Sequence, residues 1–99
     1  MKHLLIVETN ITNPSWVQEY LAKVTPVLAK FSGKYLTRTS SIEILEGEKK
    51  PQYSLVAEFP TKEDAIAFHS SEEYAPLKAA RQSGSNSNFL LVPVENGTA

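Results

Sequence analysis

Apolar and polar positions follow two periods along the chain, and these periods predict its strands and helices. Short apolar stretches with β-branched residues predict four strands, over residues 2–9, 34–39, 53–59 and 88–94. Apolar residues recur at helical spacing from Val17 to Phe31, after a helix start at Asn13-Pro14, and further helical stretches follow Thr61 and Pro76. The order βαββαβ predicts a ferredoxin-like α+β fold, an antiparallel sheet with the helices on one face.

Polar stretches separate these elements. The pair Ser40-Ser41 interrupts the second strand, so we expect a bulge or bend there before an extended pattern resumes over residues 42–46. Residues 47–51 predict a polar hairpin loop, and residues 83–87 predict a flexible polar loop before the fourth strand. Pro26 is expected to kink or tighten the first long helix.

The first and fourth strands are apolar on both faces. Leu5 and Val7 point to one face of the sheet while Leu4 and Ile6 point to the other, and the fourth strand repeats this pattern. Because the helices can cover only one face, a second copy stacked on the open face is the simplest cover for the other. The sequence therefore predicts a homodimer through the open sheet face.

Length and composition restrict the class of protein. The 99 residues allow a single domain over 1–99, with a core over about 2–94 and a frayed tail over 95–99. Ten Lys and Arg against eleven Asp and Glu give a net charge of -1, which removes the electrostatic basis for general nucleic-acid binding. Cysteine is absent, no apolar run approaches the roughly 18 residues of a membrane span, and no signal-peptide pattern is visible. We expect a cytoplasmic protein that binds neither nucleic acid nor membrane.

Arg38 and Glu58 are the first candidates for catalytic chemistry. Counting outward from a hairpin loop centred near Lys49 places Arg38 opposite Pro60, within one cross-strand diagonal of Glu58. A basic and an acidic group at a cavity rim could bind and polarise an acid or an enol, whereas the alternative is a structural ion pair across the hairpin. Burial would raise the pKa of Glu58 toward that of a usable base, and pairing with Arg38, which we favour, would hold it ionised.

Four further residues are candidates for ligand binding in a pocket between helix and sheet. Tyr74 and Arg81 are seven residues apart, which would align them on one helix face unless Pro76 breaks the helix. The alternative places Tyr74 in the core, with its hydroxyl at the surface and Arg81 covering it. Tyr20 and Tyr35 pose the same choice between ligand stacking and core or dimer contact.

Residue types that would hold a metal or a nucleotide are scarce. The two histidines, His3 and His69, do not lie at a metal-ligand spacing within one element. The sequence also contains neither a Gly-x-Ser-x-Gly motif nor a phosphate-cradling glycine motif. We expect no metal site and no cofactor.

Five short motifs occur in the order typical of one known family: Gly33-Lys34-Tyr35-Leu36-Thr37-Arg38, Leu45-Glu46-Gly47, Glu58-Phe59-Pro60-Thr61, Ser71-Glu72-Glu73-Tyr74 and Arg81. Over roughly positions 2–92 the chain resembles the domain-of-unknown-function 1330 family, within the dimeric α+β barrel superfamily. The resemblance implies a ferredoxin-like protomer whose sheets pair face to face into a dimer. It implies no established activity.

The same resemblance leaves several functions open. Members of the superfamily include cofactor-free monooxygenases acting on aromatic polyketides or quinols, muconolactone isomerase, haem proteins similar to chlorite dismutase, and stress-responsive barrels. The chain departs from the family pattern at Asn13 and Asn88, where acidic residues are usual, and at Val92-Pro93-Val94. Three hypotheses follow: a binder or cofactor-free enzyme, monooxygenase-like or isomerase-like, for a small acidic, enolic or aromatic molecule; a non-catalytic ligand-binding or stress-related module; and a purely structural dimer.

Overall fold

The chain alternates strands and helices in the order that the sequence predicts. A computed structural model describes residues 1–95, so most of the predicted tail, residues 96–99, lies outside the described range. The elements are β1 (His3–Ile11), a 3₁₀ turn (Pro14–Trp16), α1 (Val17–Lys30), β2 (Lys34–Thr39), β3 (Tyr53–Phe59), α2 (Lys62–His69), α3 (Ala75–Gly84) and β4 (Ser85–Pro93). The strands form one antiparallel sheet in the order β2-β3-β1-β4, which confirms the ferredoxin-like α+β fold.

Side-chain caps begin the helices where the sequence predicts. The Asn13 side chain accepts a hydrogen bond from the backbone N–H of Ser15 at 3.0 Å, at the start of the 3₁₀ turn that leads into α1. The Thr61 hydroxyl accepts one from the N–H of Asp64 at 3.1 Å and caps α2. Pro26 is exposed within α1, which runs without interruption over its fourteen residues.

The connection between β2 and β3 is longer than predicted. β2 ends at Thr39, whose hydroxyl accepts a hydrogen bond from the N–H of Ser41 at 2.9 Å and turns the chain out of the sheet. Residues 40–52 therefore form one long connection, and the extended segment predicted over 42–46 is wrong.

The polar segment over residues 83–87 also differs from its prediction, because it belongs to a helix and a strand. α3 leads directly into β4, so the loop predicted over residues 83–87 is wrong. Ser85 donates to the carbonyl of Arg81 at 2.7 Å, and the Ser87 hydroxyl hydrogen-bonds with the hydroxyls of Ser85 and Thr9. Because these serines satisfy one another and the backbone, a stretch with loop composition forms a strand.

The core lies between the sheet and the helices, and the other sheet face is apolar as well. The largest fully buried side chains are Tyr74, Phe59, Phe68, Leu28 and Val24. The opposite face, which we call the open face, carries Leu4, Ile6, Val56, Leu90 and Val92. None of these five is buried in the single protomer, and Leu90 is 51% exposed. Within residues 1–95, no helix has the length and apolar character needed to cross a bilayer.

Candidate functional site

A cavity of about 450 Å³ lies between the sheet and the helices. Strand residues that point toward the helices form its floor, and the aromatic side chains of Trp16, Tyr20, Phe68 and Tyr74 form much of its wall. Its lining consists of Leu5, Val7, Thr9, Ile11, Trp16, Val17, Tyr20, Leu21, Leu28, Tyr35, Arg38, Thr39, Ser40, Tyr53, Ser54, Leu55, Ala57, Phe68, Tyr74, Arg81 and Phe89. Most of these residues are apolar or aromatic, so the cavity suits a ligand with an apolar body.

The cavity brings together five of the six candidate residues from the sequence. They are Tyr20, Tyr35, Arg38, Tyr74 and Arg81. Among the lining residues of the described chain, the two arginines are the only charged ones, and no carboxylate, histidine or lysine lines the cavity. The charged lining is therefore entirely cationic.

Glu58, the sixth candidate, lies outside the cavity and does not pair with Arg38. The observed register places Arg38 opposite Leu55, not Pro60, and places Glu58 opposite Lys34. The register differs because the strand does not resume over residues 42–46, and because the bulge lies between Tyr35 and Thr37 instead of at Ser40-Ser41. Arg38 consequently points toward the helices and Glu58 toward the open face, so the predicted pair is wrong.

The carboxylate of Glu58 is paired with two lysines instead. Its oxygens lie 2.8 Å from Nζ of Lys2 and 3.7 Å from Nζ of Lys34. The hydrogen bond from Lys2 is the main cause that lowers the pKa of Glu58, although partial burial opposes it. Glu58 is therefore an ionised carboxylate, as the favoured interpretation expected, but lysines and not Arg38 hold it ionised.

Two tyrosine hydroxyls meet in the cavity wall. The hydroxyls of Tyr20 on α1 and Tyr74 at the start of α3 are 2.6 Å apart, and Tyr74 is fully buried. Burial, followed by the neighbouring Tyr74, raises the pKa of Tyr20 well above its ordinary value. Tyr20 is therefore a neutral phenol at physiological pH. Tyr74 lies in the core, as one alternative expected, but its hydroxyl is inside the protein and not at the surface.

Arg81 is a buried cation without an acidic partner among residues 1–95. α3 runs unbroken from Ala75, with Pro76 in its first turn, so Tyr74 and Arg81 both reach the cavity. Arg81 is 6% exposed, its guanidinium carbon lies 4.1 Å from the centre of the Phe89 ring, and its Nε has no hydrogen-bond partner in the described chain.

The ion pairs of residues 1–95 all involve other cations, namely Lys2, Lys23, Lys30 and Lys34. Buried arginines are ordinarily paired, because removing a charge and its donors from water is costly. The unpaired guanidinium of Arg81 therefore makes this part of the cavity favourable for an anion.

Arg38 lies at the edge of the same cavity. It is exposed, and its guanidinium carbon lies 4.2 Å from the centre of the Tyr35 ring. Burial raises the pKa of Tyr35, although the charge of Arg38 partly opposes this shift. Both arginines of the cavity are thus stacked on aromatic rings, an arrangement that fixes the guanidinium plane.

Sequence reasoning did not assign a role to Phe89 or Gly84. The apolar alternation of β4 places Phe89 on the helix-facing side, but nothing in the sequence shows that it lies under Arg81. Gly84 accepts a hydrogen bond from the indole N–H of Trp16 at 3.1 Å, and a Cβ at Gly84 would collide with the indole ring. This close approach is hidden in a Ser-Gly-Ser stretch with loop composition.

Metal ligands do not cluster in the described part of the chain. No group of three or more His, Cys, Asp or Glu residues in residues 1–95 could hold a metal ion. His69 lies behind the cavity wall, with its ring centre 6.1 Å from that of Tyr74 and 5.9 Å from that of Phe89. Burial, followed by the charge of Lys78, lowers the pKa of His69.

Comparison with known proteins identifies a family and several structures of the same fold. The model of the family described as "Domain of unknown function (DUF1330)" matches residues 2–94. No curated protein matches the sequence.

Three solved structures illustrate the fold. The RPA0582 protein of unknown function from Rhodopseudomonas palustris has a TM-score of 0.80 at 14% identity, over 95% of this chain and 83% of that chain. SnoaB, described as a cofactor-independent oxygenase from Streptomyces nogalater, has a TM-score of 0.67 at 14% identity, over 96% and 94%. A dimeric ferredoxin-like protein from Jannaschia sp. CCS1 has a TM-score of 0.65 at 9% identity, over 95% and 100%. At these identities the likenesses show the fold alone.

Proposed function

The chain belongs to the family described as Domain of unknown function (DUF1330), and from that premise and the geometry of the cavity we propose that it binds a small anion with an aromatic or apolar body. The observation that carries this proposal is Arg81, a nearly buried guanidinium without an acidic partner in the described chain. A carboxylate or enolate of the ligand would supply the missing counter-charge through charge-assisted hydrogen bonds.

The rest of the lining supports an anion with a ring. Trp16 and Tyr20 pack edge to face with ring centres 5.2 Å apart, and both line the cavity beside Phe89. Flat apolar ligands make large contact areas with such aromatic walls. The hydrogen-bond donors of the cavity are cations and neutral hydroxyls. A cationic ligand would therefore be repelled, and a neutral ligand would leave Arg81 without a counter-charge.

Binding is favoured over proton abstraction because the described lining contains no general base. Tyr20 keeps its proton, and Glu58, the one carboxylate considered for the role, lies on the other face of the sheet. A second candidate function is cofactor-free conversion between enol and keto forms of a ligand, in which the Tyr20–Tyr74 hydroxyl pair would give a proton to the enol carbon while the enol O–H returns a proton to the pair. The fold likeness to a protein described as a cofactor-independent oxygenase agrees with this alternative.

A pair of probes that differ only in charge tests the binding proposal. We expect 2-naphthoate, but not the neutral 2-naphthamide, to raise the thermal midpoint of the protein. A ligand at 100 times its dissociation constant adds about 2.7 kcal/mol, which corresponds to roughly 10 °C or more for a domain of this size. Arg81→Met should abolish the shift.

A matched control removes a cation elsewhere on the surface. Lys62 is exposed at the start of α2 and does not line the cavity, so Lys62→Met should retain the full shift. Equal shifts with the acid and the amide, or an undiminished shift in Arg81→Met, would contradict the proposal.

The enolic alternative needs a separate experiment. Phenylpyruvate is an aromatic acid with exchangeable methylene protons, and their exchange in D₂O can be followed by NMR. Faster exchange with the wild type than with Tyr20→Phe would support turnover. Binding of phenylpyruvate without faster exchange would leave the protein a ligand-binding module.

We further propose that two copies pair through the open face. Leu90, Ile6 and Leu4 are apolar residues on that face and are only partly covered in one protomer. A second copy would bury them, and the fold likeness to a protein described as dimeric supports this arrangement. The cavity lies on the other side of the sheet, so each protomer would present its own site.

A further inference from the structure

One row of paired residues in the sheet has Arg38 at one end and, at the other end, Phe89, whose ring lies under the guanidinium of Arg81. Arg38 on β2 lies opposite Leu55 on β3, Leu55 lies opposite Val7 on β1, and Val7 lies opposite Phe89 on β4. All four residues line the cavity, and the guanidinium of Arg81 lies over the Phe89 ring. Three interstrand spacings separate the ends of this row, which corresponds to about 14 Å between their Cα atoms.

We propose that the ligand carries two acidic groups, one at each end of an apolar body. One group would bind Arg81 inside the cavity, and the other would bind Arg38 at the cavity edge. This inference rests on the proposed anion binding at Arg81 and specifies the ligand class as a dianion.

The two arginines are presented to the cavity in the same way. Each guanidinium lies over an aromatic ring, Arg81 over Phe89 at 4.1 Å and Arg38 over Tyr35 at 4.2 Å. A guanidinium placed over a ring can still donate N–H groups at its edge to a carboxylate, and two such groups bind a carboxylate in a bidentate manner. Neither arginine has an acidic partner among residues 1–95.

The floor between the arginines is apolar and narrow. Leu55 and Val7 occupy the two central strands of the row, and no charged side chain of the described chain lines the cavity between the two arginines. An apolar body about two strands wide would therefore lie on this floor, with its acidic groups toward β2 and β4. A fused two-ring aromatic dicarboxylate has this arrangement of groups.

Two probes with the same ring system test the inference. Titration calorimetry at 0.15 M salt would compare naphthalene-2,6-dicarboxylate with 2-naphthoate, which lacks the second acid. We expect the dianion to bind the wild type on the order of tenfold more tightly than the monoanion, because a second charge-assisted contact forms at Arg38. In Arg38→Met the two affinities should differ by less than twofold, while Lys62→Met should keep the wild-type ratio.

The outcomes separate this inference from the proposal on which it rests. Equal affinities of the wild type for the two probes, or a dianion advantage that persists in Arg38→Met, would overturn the two-ended ligand and leave anion binding at Arg81 standing. If the wild type binds neither probe, or Arg81→Met binds both as the wild type does, anion binding itself fails. Because Arg38 is exposed, unfolding midpoints of Arg38→Met and the wild type verify that this variant is folded.

Discussion

Replacement of Arg81 by methionine is expected to stabilise the protein while removing its anion site. Arg81 is 6% exposed, has no carboxylate partner in the described chain, and its Nε lacks a hydrogen-bond partner there. Methionine has a similar length and can maintain contact with Phe89 without carrying a charge into the cavity wall. If Arg81 serves ligand binding and not folding, its replacement should increase stability and decrease binding.

The size of the gain follows from the groups that change. A buried donor without a partner costs about 1–3 kcal/mol, and that cost disappears with the guanidinium. The stacked cation on Phe89 stabilises by about 0.5–2 kcal/mol, and a thioether on the same ring recovers about 0.3–1.5 kcal/mol of it. The free energy of unfolding should therefore rise by about 1–2 kcal/mol, or roughly 5–10 °C in the thermal midpoint.

Urea unfolding followed by tryptophan fluorescence measures this change. Trp16 is the only tryptophan of the chain and lies in the cavity wall, so its emission reports on the site as well as on global unfolding. Protein concentration is held fixed, since association makes the midpoint depend on concentration. Arg38→Met, which changes an exposed arginine, serves as the control and should remain within about 0.5 kcal/mol of the wild type. A loss of more than about 1 kcal/mol in Arg81→Met would show that Arg81 has a structural partner and would refute this reasoning.

Three further changes test other parts of the structure. Gly84→Ala should cost about 1–3 kcal/mol in urea unfolding and alter Trp16 emission, because the new Cβ would collide with the indole ring. Leu90→Arg should convert a dimer of twice 11.0 kDa into a monomer in sedimentation equilibrium, and a wild type that sediments as a monomer at micromolar concentration would contradict pairing through the open face. Raised pKa values at Tyr20 and Tyr35 mean that the unfolded chain loses these protons first, so the contribution of these two phenols to stability should be constant below about pH 10 and decrease above it, as measured by urea unfolding from about pH 8 upward. Stability that increases above pH 10 would contradict the burial of these phenols.

Local signals predicted the elements of the fold well. β2 and β3 begin and end at the predicted residues, Thr61 caps α2 as expected, and Asn13 caps the 3₁₀ turn that leads into α1. These features depend on side-chain period and on a single hydrogen bond within a few residues, both of which are visible in the sequence.

Pairing between elements could not be predicted in the same way. The register of β2 against β3 depends on the residue at which the chain leaves the sheet. The hydrogen bond from the N–H of Ser41 to the hydroxyl of Thr39 turns the chain out at that point, and the 13-residue connection that follows has no periodic pattern from which this could be predicted. The predicted register placed Arg38 opposite Pro60, five residues from its observed partner Leu55, and therefore placed it near Glu58, with which it does not pair.

The candidate site was predicted in part for the same reason. Helical spacing would align Tyr74 and Arg81 if Pro76 did not break the helix, and both residues line the cavity because α3 is continuous. The position of Phe89 under Arg81 and of Trp16 against Gly84 depends on packing between distant elements, for which the sequence gives no local signal.

The most direct test of anion binding at Arg81 is the ¹⁵N NMR signal of its Nε–H group, assigned by its disappearance in Arg81→Met. Nε has no hydrogen-bond partner in the described chain, so its signal should respond to any acid that binds there. We expect 2-naphthoate to shift the signal and slow its exchange with water, while 2-naphthamide leaves it unchanged. A signal that does not move with saturating 2-naphthoate, or that moves equally with the amide, would contradict the account.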